Sequence, residues 1–140
     1  MDKQYEILEH PADLKIRAFG KDLPEVFVNA AQAIAFQQLQ IPNSKKQIPN
    51  EEEEIFIESD SLGSLLVDWL SEILYRGEVN KKVYTDFEVA EFSENPYKIK
   101  SKTKGVPFEQ KGIDIKAVTY HELEIKKAGD HWEAVVVFDI

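Results

Sequence analysis

The chain has 140 residues and no cysteine, with 17 basic against 26 acidic side chains and 43% hydrophobic residues. One domain over residues 1–140 is expected at this length, with enough chain to bury a core; disulfides, cysteine-based zinc sites and thiol chemistry are excluded. A net charge of −9 argues against an independent nucleic-acid binder, which needs a basic face, and leaves open a cation, a basic protein partner or solubility alone.

Met1-Asp2-Lys3-Gln4 is polar, so no signal peptide is expected, and no apolar run reaches membrane-spanning length. The absence of thiols is compatible with a reducing cytoplasm, the expected compartment. Tyr5 to Glu9 reads as a short strand. Leu14, Ile16 and Ala18 alternate with Lys15, Arg17 and Phe19, which predicts a half-buried second strand ended by Gly20. Asp22-Leu23-Pro24-Glu25 has the form of a capping box, with proline in the first turn. A helix to about Leu39 should follow, with Val26, Phe27, Ala30, Ala33 and Ile34 facing the core.

Ile41 to Asn50 is a connector with two prolines. The Glu51–Glu54 run reads as a solvated strand entry, and Ile55-Phe56-Ile57 as the strand proper. Asp60-Ser61 opens a second helix to about Arg76, striped by Leu62, Leu65, Leu66, Trp69, Leu70, Ile73 and Leu74, with Gly77 as its expected C-cap. Strands are predicted over Val83–Phe92, Tyr97–Thr103, Ile113–Tyr120, Leu123–Lys126 and Trp132–Asp139. Asn95-Pro96, Lys104-Gly105, Lys111-Gly112 and Gly129-Asp130 mark turns between them. Short connections favour antiparallel pairing. The predicted fold is α+β: a two-layer domain with two helices packed on one largely antiparallel sheet.

No phosphate-binding loop, dinucleotide fingerprint, nucleophile elbow or paired-histidine helix is present, and no nucleophile with a general base supports a hydrolase. The expectation is a protein that is not itself an enzyme. His10, His121 and His131 are dispersed, and each alone reads as structural or exposed. His10 stands apart because Asp13 follows three residues later; it can act as ligand, orienter or proton carrier. Asp13 follows a turn-like His10-Pro11-Ala12 and can serve simply to stabilise that turn. Asp139 sits beside Ile140 after the apolar run Val135-Val136-Val137-Phe138. A buried last strand would fix Asp139 and the Ile140 carboxylate. If Asp13 approaches them, the oxygen donors suit a hard divalent cation: Ca²⁺, Mg²⁺ or Mn²⁺. Lys116, on a predicted strand with Asp114 and Val118 on its face, is either a solvated lysine or a contact for phosphate or an acidic partner residue.

Four segments together resemble the archease family: Glu9-His10-Pro11-Ala12-Asp13; Leu65-Leu66 through Trp69-Leu70-Ser71-Glu72-Ile73-Leu74-Tyr75; Ile115-Lys116-Ala117-Val118-Thr119-Tyr120-His121; and Phe138-Asp139-Ile140. The resemblance implies an acidic accessory protein of an RtcB-type, GTP-dependent RNA-splicing ligase. That ligase joins 2′,3′-cyclic-phosphate or 3′-phosphate RNA ends to 5′-hydroxyl ends in tRNA splicing and RNA repair. The implied role is to promote ligase guanylylation and multiple turnover, with only indirect contact to RNA. It further implies a metal site at Asp13, Asp139 and Ile140, with Ca²⁺ as the family's ion, and Lys116 and His10 as contacts for partner or phosphate. The alternative is a chaperone-like interaction module in which the carboxylates play no part. Two departures stand out. Pro11 replaces the family's usual threonine, and Phe108-Glu109-Gln110-Lys111-Gly112 lacks the histidine often found there, whose charge Lys111 is a candidate to replace.

Overall fold

The computed structural model describes residues 3–39, 51–108 and 112–140. The expected connector at 41–50 and the Lys111 position lie outside these residues. The described chain runs β1 (Tyr5–Leu8), β2 (Asp13–Gly20), α1 (Leu23–Gln38), β3 (Glu53–Ser59), α2 (Leu62–Asn80), β4 (Lys82–Glu94), β5 (Tyr97–Pro107), β6 (Ala117–Ala128) and β7 (His131–Asp139). The α+β class holds. The strands, however, divide into two antiparallel sheets, β1-β2-β7-β6 and β3-β5-β4, where the sequence pattern predicted one. Both helices touch both sheets, so one core is shared rather than layered on a single sheet.

The predicted cap forms at Asp22, with the return bond to Glu25 made from the residue before the cap. The Asp22 carboxylate accepts from the Glu25 amide at 3.0 Å, and Glu25 Oε1 accepts from the Lys21 amide at 3.1 Å. Helix α1 is buried on most of its circumference, because β2 and β7 cover one side and β4 another. Among its buried polar side chains, Asn29 donates through Nδ2 to the Phe19 carbonyl at 2.7 Å. In α2, Ser61 caps the Ser64 amide at 3.1 Å, and the fully buried Trp69 donates through Nε1 to Ser101 Oγ at 3.0 Å.

Gly77 is not the C-cap. The helix runs on to Asn80 and closes at Lys81, whose φ of 56° and ψ of 49° are left-handed, with its amide donating to the Gly77 carbonyl. Gly77 is there for space: a Cβ would stand 2.8 Å from the Lys82 carbonyl oxygen as the chain turns into β4. Gly105 likewise lies inside β5 rather than in a turn, where Val83 O would sit 2.8 Å from a Cβ. Glu53 is more than a wet strand entry. It accepts from Tyr84 Oη at 2.6 Å and Lys82 Nζ at 3.3 Å, while Glu51, Glu52 and Glu54 are exposed. Among the described residues no helix is long and apolar enough to cross a membrane.

The predicted strands Ile113–Tyr120 and Leu123–Lys126 are also corrected. Residues 113–116 are not strand, and the remainder forms the single strand β6. Gly112 and Ile113 donate to the carbonyls of Gln38 and Gln37 at 2.7 and 3.1 Å, closing the free end of α1. Ile115 is buried in the core, and the Lys116 amide donates to the Asp139 carbonyl at 2.8 Å.

Candidate functional site

Strands β2 and β7 are antiparallel neighbours, and their register sets Asp13 directly opposite Asp139. The next pair, Leu14 and Phe138, points into the core, so alternation sends both carboxylates to the other face. Directly opposed cross-strand residues hold their Cβ atoms about 4.5–5.5 Å apart, and like charges so placed repel. Ala117 of β6 pairs with Asp139 on its other side, and Ile140 is exposed just beyond. Asp13, Asp139 and Ile140 therefore meet at one end of the sheet. Lys116 is exposed and lies beside them through its amide contact to Asp139. It also borders a cleft of about 470 Å³ between α2 and residues 114–118, lined by Ser71, Tyr75, Glu78 and Asp114.

Local backbone geometry positions Asp13. Ala12 adopts a left-handed φ of 63°, which ends the Pro11-Ala12 turn and starts β2. His10 lies against it, with Nδ1 3.3 Å from Asp13 Oδ2. That nitrogen is buried and makes no well-formed hydrogen bond. The other ring nitrogen, Nε2, is 3.0 Å from Glu122 Oε2.

Glu122 and His121 were not singled out together by the sequence. They reach the site through a wide bulge in β6: Thr119 pairs with Val137 and Glu124 with Val135, so residues 120–123 oppose Val136 alone. Thr119 Oγ1 donates to the Val137 carbonyl at 2.8 Å and accepts from the His121 amide at 3.3 Å, and Glu122 has a φ of 55°. The bulge carries Glu122 to within 3.6 Å of Lys15 Nζ on β2, and sets the His121 and His10 rings 6.0 Å apart. The polar break Tyr120-His121-Glu122 in an otherwise alternating strand was the available signal. Partial desolvation raises the Glu122 carboxyl pKa, but Lys15, the His10 hydrogen bond and the His121 and His10 charges outweigh it and hold the pKa below its ordinary value. His131 is separate, at the far end of β7, between Asp130 and Glu133.

A model of the archease protein family matches residues 5–140. The chain belongs to the archease family. It is 46% identical to protein archease of Methanosarcina barkeri, covering 99% of this chain and 97% of that protein. Against the Pyrococcus abyssi archease the identity is 38%, over 99% of each. Among solved structures, protein 1598 of Methanobacterium thermoautotrophicum superposes with a TM-score of 0.80 at 27% identity, covering 98% of this chain and 99% of that one. A Thermotoga maritima archease, described as a possible chaperone, shares the fold at a TM-score of 0.66 and 21% identity, covering 95% and 94% of the two chains.

Proposed function

We propose that this archease is an accessory protein that activates an RtcB-type RNA-splicing ligase, promoting its guanylylation and multiple turnover in tRNA splicing and RNA repair. The proposal extends to a cation-binding carboxylate site and to a role without catalytic residues of its own. The observation that carries it is the cross-strand pairing of Asp13 with Asp139. Two opposed carboxylates repel, and a hard divalent cation relieves that repulsion while accepting their oxygens. Asp13 and Asp139 would hold the ion, with an Ile140 oxygen as a further donor; Ca²⁺ is the expected ion, with Mg²⁺ and Mn²⁺ as alternatives. When bound, such an ion supplies positive charge that neutralises phosphate oxygens.

The chain's own residues supply the rest of the surface. Lys116 is exposed and joined to Asp139 through its backbone amide, and its ammonium is suited to contact a phosphate or an acidic ligase residue. His10 stands beside Asp13, with Nδ1 3.3 Å from its carboxylate. The excess of acidic side chains steers docking onto a basic, RNA-binding ligase, so RNA is contacted only through that partner.

The test is ligase guanylylation and turnover with and without the wild-type chain, alongside Asp139→Ala. Stimulation by wild type and loss of most of it in the variant, with an unchanged circular dichroism spectrum, is the expected result. Equal stimulation by both would instead favour the chaperone-like reading, in which docking surfaces matter and the carboxylates do not.

A further inference from the structure

A second constellation stands next to the carboxylate pair and has different donor chemistry. Among the described residues, His10, His121 and Glu122 each offer a ligand atom, and these atoms lie within 4.8 Å of one another. Glu122 Oε2 is 3.0 Å from His10 Nε2 and 3.8 Å from His121 Nε2. Ligands bound at zinc's usual distances of about 2.0–2.2 Å in a tetrahedron lie about 3.4 Å apart, inside that spread.

The second nitrogen of His10 strengthens the case. A metal-binding imidazole usually turns its remaining N–H toward a carboxylate, which fixes the tautomer and aims the ligand nitrogen. Here Nδ1 is buried without a well-formed hydrogen bond and faces Asp13 Oδ2 at 3.3 Å, while Nε2 points at Glu122. The ring is held with its side chain 18% exposed, whereas His121 and Glu122 are 67% and 43% exposed. One ligand is thus preset and two can close on an arriving ion, leaving a coordination position open to solvent or to a partner. Glu122 is carried there on a left-handed residue at the tip of the β6 bulge. Lys15 Nζ, 3.6 Å from the same Glu122 oxygen, supplies the positive charge that an ion would displace.

We propose that His10, His121 and Glu122 form a binding site for a zinc-class transition-metal ion, distinct from the oxygen site of Asp13 and Asp139, with Asp13 orienting His10. Two imidazoles and one carboxylate select a borderline ion such as Zn²⁺ over Ca²⁺. This inference does not rest on the ligase reading, because it concerns ion binding by the isolated chain.

The experiment is titration of the chelator-stripped full chain with Co²⁺ alone, followed by visible absorption. An intense four- or five-coordinate cobalt spectrum is expected, displaced by Zn²⁺ and left intact by excess Ca²⁺. His121→Ala and Glu122→Gln should each lose that spectrum and weaken binding at least tenfold. Glu122→Gly provides a fold control, since glycine is at ease at a left-handed position, and it should lose the spectrum too. Asp13→Asn should retain the spectrum with affinity lowered about 10–100-fold, as expected for an orienting partner. A weak octahedral cobalt spectrum only, or an intense spectrum unchanged in His121→Ala and Glu122→Gly, would overturn the proposal, the latter pointing to ions held elsewhere, as at His131.

Discussion

Asp13 and Asp139 are a pair because β2 and β7 share a register, and the repulsion between them is a cost that the folded chain carries without a cation. Asp139→Asn should therefore leave the metal-free protein as stable as wild type or more so, by about 0.2–1 kcal/mol. Thermal unfolding with chelator and then with Ca²⁺ checks this. Ca²⁺ should raise the wild-type Tm and leave that of the variant nearly unmoved. Trp69 poses the opposite case, a residue whose role is packing and one buried hydrogen bond to Ser101. It lies fully buried against Phe27 and Phe87, with ring centroids 6.0 and 5.9 Å away. Trp69→Ala should cost about 3–5 kcal/mol, read by urea denaturation.

At the level of the element, Tyr84 of β4 links the end of α2 to β3. Its hydroxyl donates to Glu53 at 2.6 Å and accepts from Asn80 at 3.2 Å. Burial and the hydrogen bond to Glu53 raise its pKa to about 12 from an ordinary 10.0. The folded state then keeps its proton after the unfolded chain has lost it. The resulting stability is complete below about pH 10 and is lost as pH rises toward about 12. Tyr84→Phe should flatten that alkaline decline in a stability–pH profile, even though it lowers stability at neutral pH. The elements also show where sequence was legible. Asp22, Pro24 and Glu25 act within one turn of each other, so their pattern specified the start of α1. The end of α2 was hidden, because Gly77 is dictated by the later passage of Lys82 and Lys81 takes the left-handed turn. The β6 bulge was hidden too. A bulge is defined by the partner strand: the polar break Tyr120-His121-Glu122 marks an irregularity, but it does not tell that Val136 alone will face residues 120–123.

Across the whole molecule the same limit explains both the two sheets and the composition of the site. Strand existence follows from local alternation, but the choice of partner is non-local, so two helices on one sheet and two helices shared by two sheets read alike. His10 and Glu122 are 112 residues apart in sequence and 3.0 Å apart in space, which is why the histidines looked dispersed. The Asp13 and Asp139 carboxylates were legible as candidates, and the pairing of β2 with β7 made them neighbours. Charge acts at this scale as well. The lysines of β5 are spent on cross-strand partners: Lys98 opposes Glu58, Lys102 lies between Glu54 and Glu88, and Lys104 opposes Asp86. They form a neutralised ladder rather than a basic face. With a net charge of −9, association with a basic ligase should slow steeply as salt rises, on the order of tenfold between low and physiological ionic strength. Stopped-flow binding across a salt series measures that slope.

The most direct test of the accessory role through the carboxylate site is multiple-turnover RNA ligation by a cognate RtcB-type ligase, titrated with wild-type chain or Asp13→Ala to saturation. Wild type should sustain turnover, and the variant should fail to do so even at saturating protein while keeping its folded spectrum. Stimulation by Asp13→Ala equal to that of wild type would contradict the carboxylate mechanism.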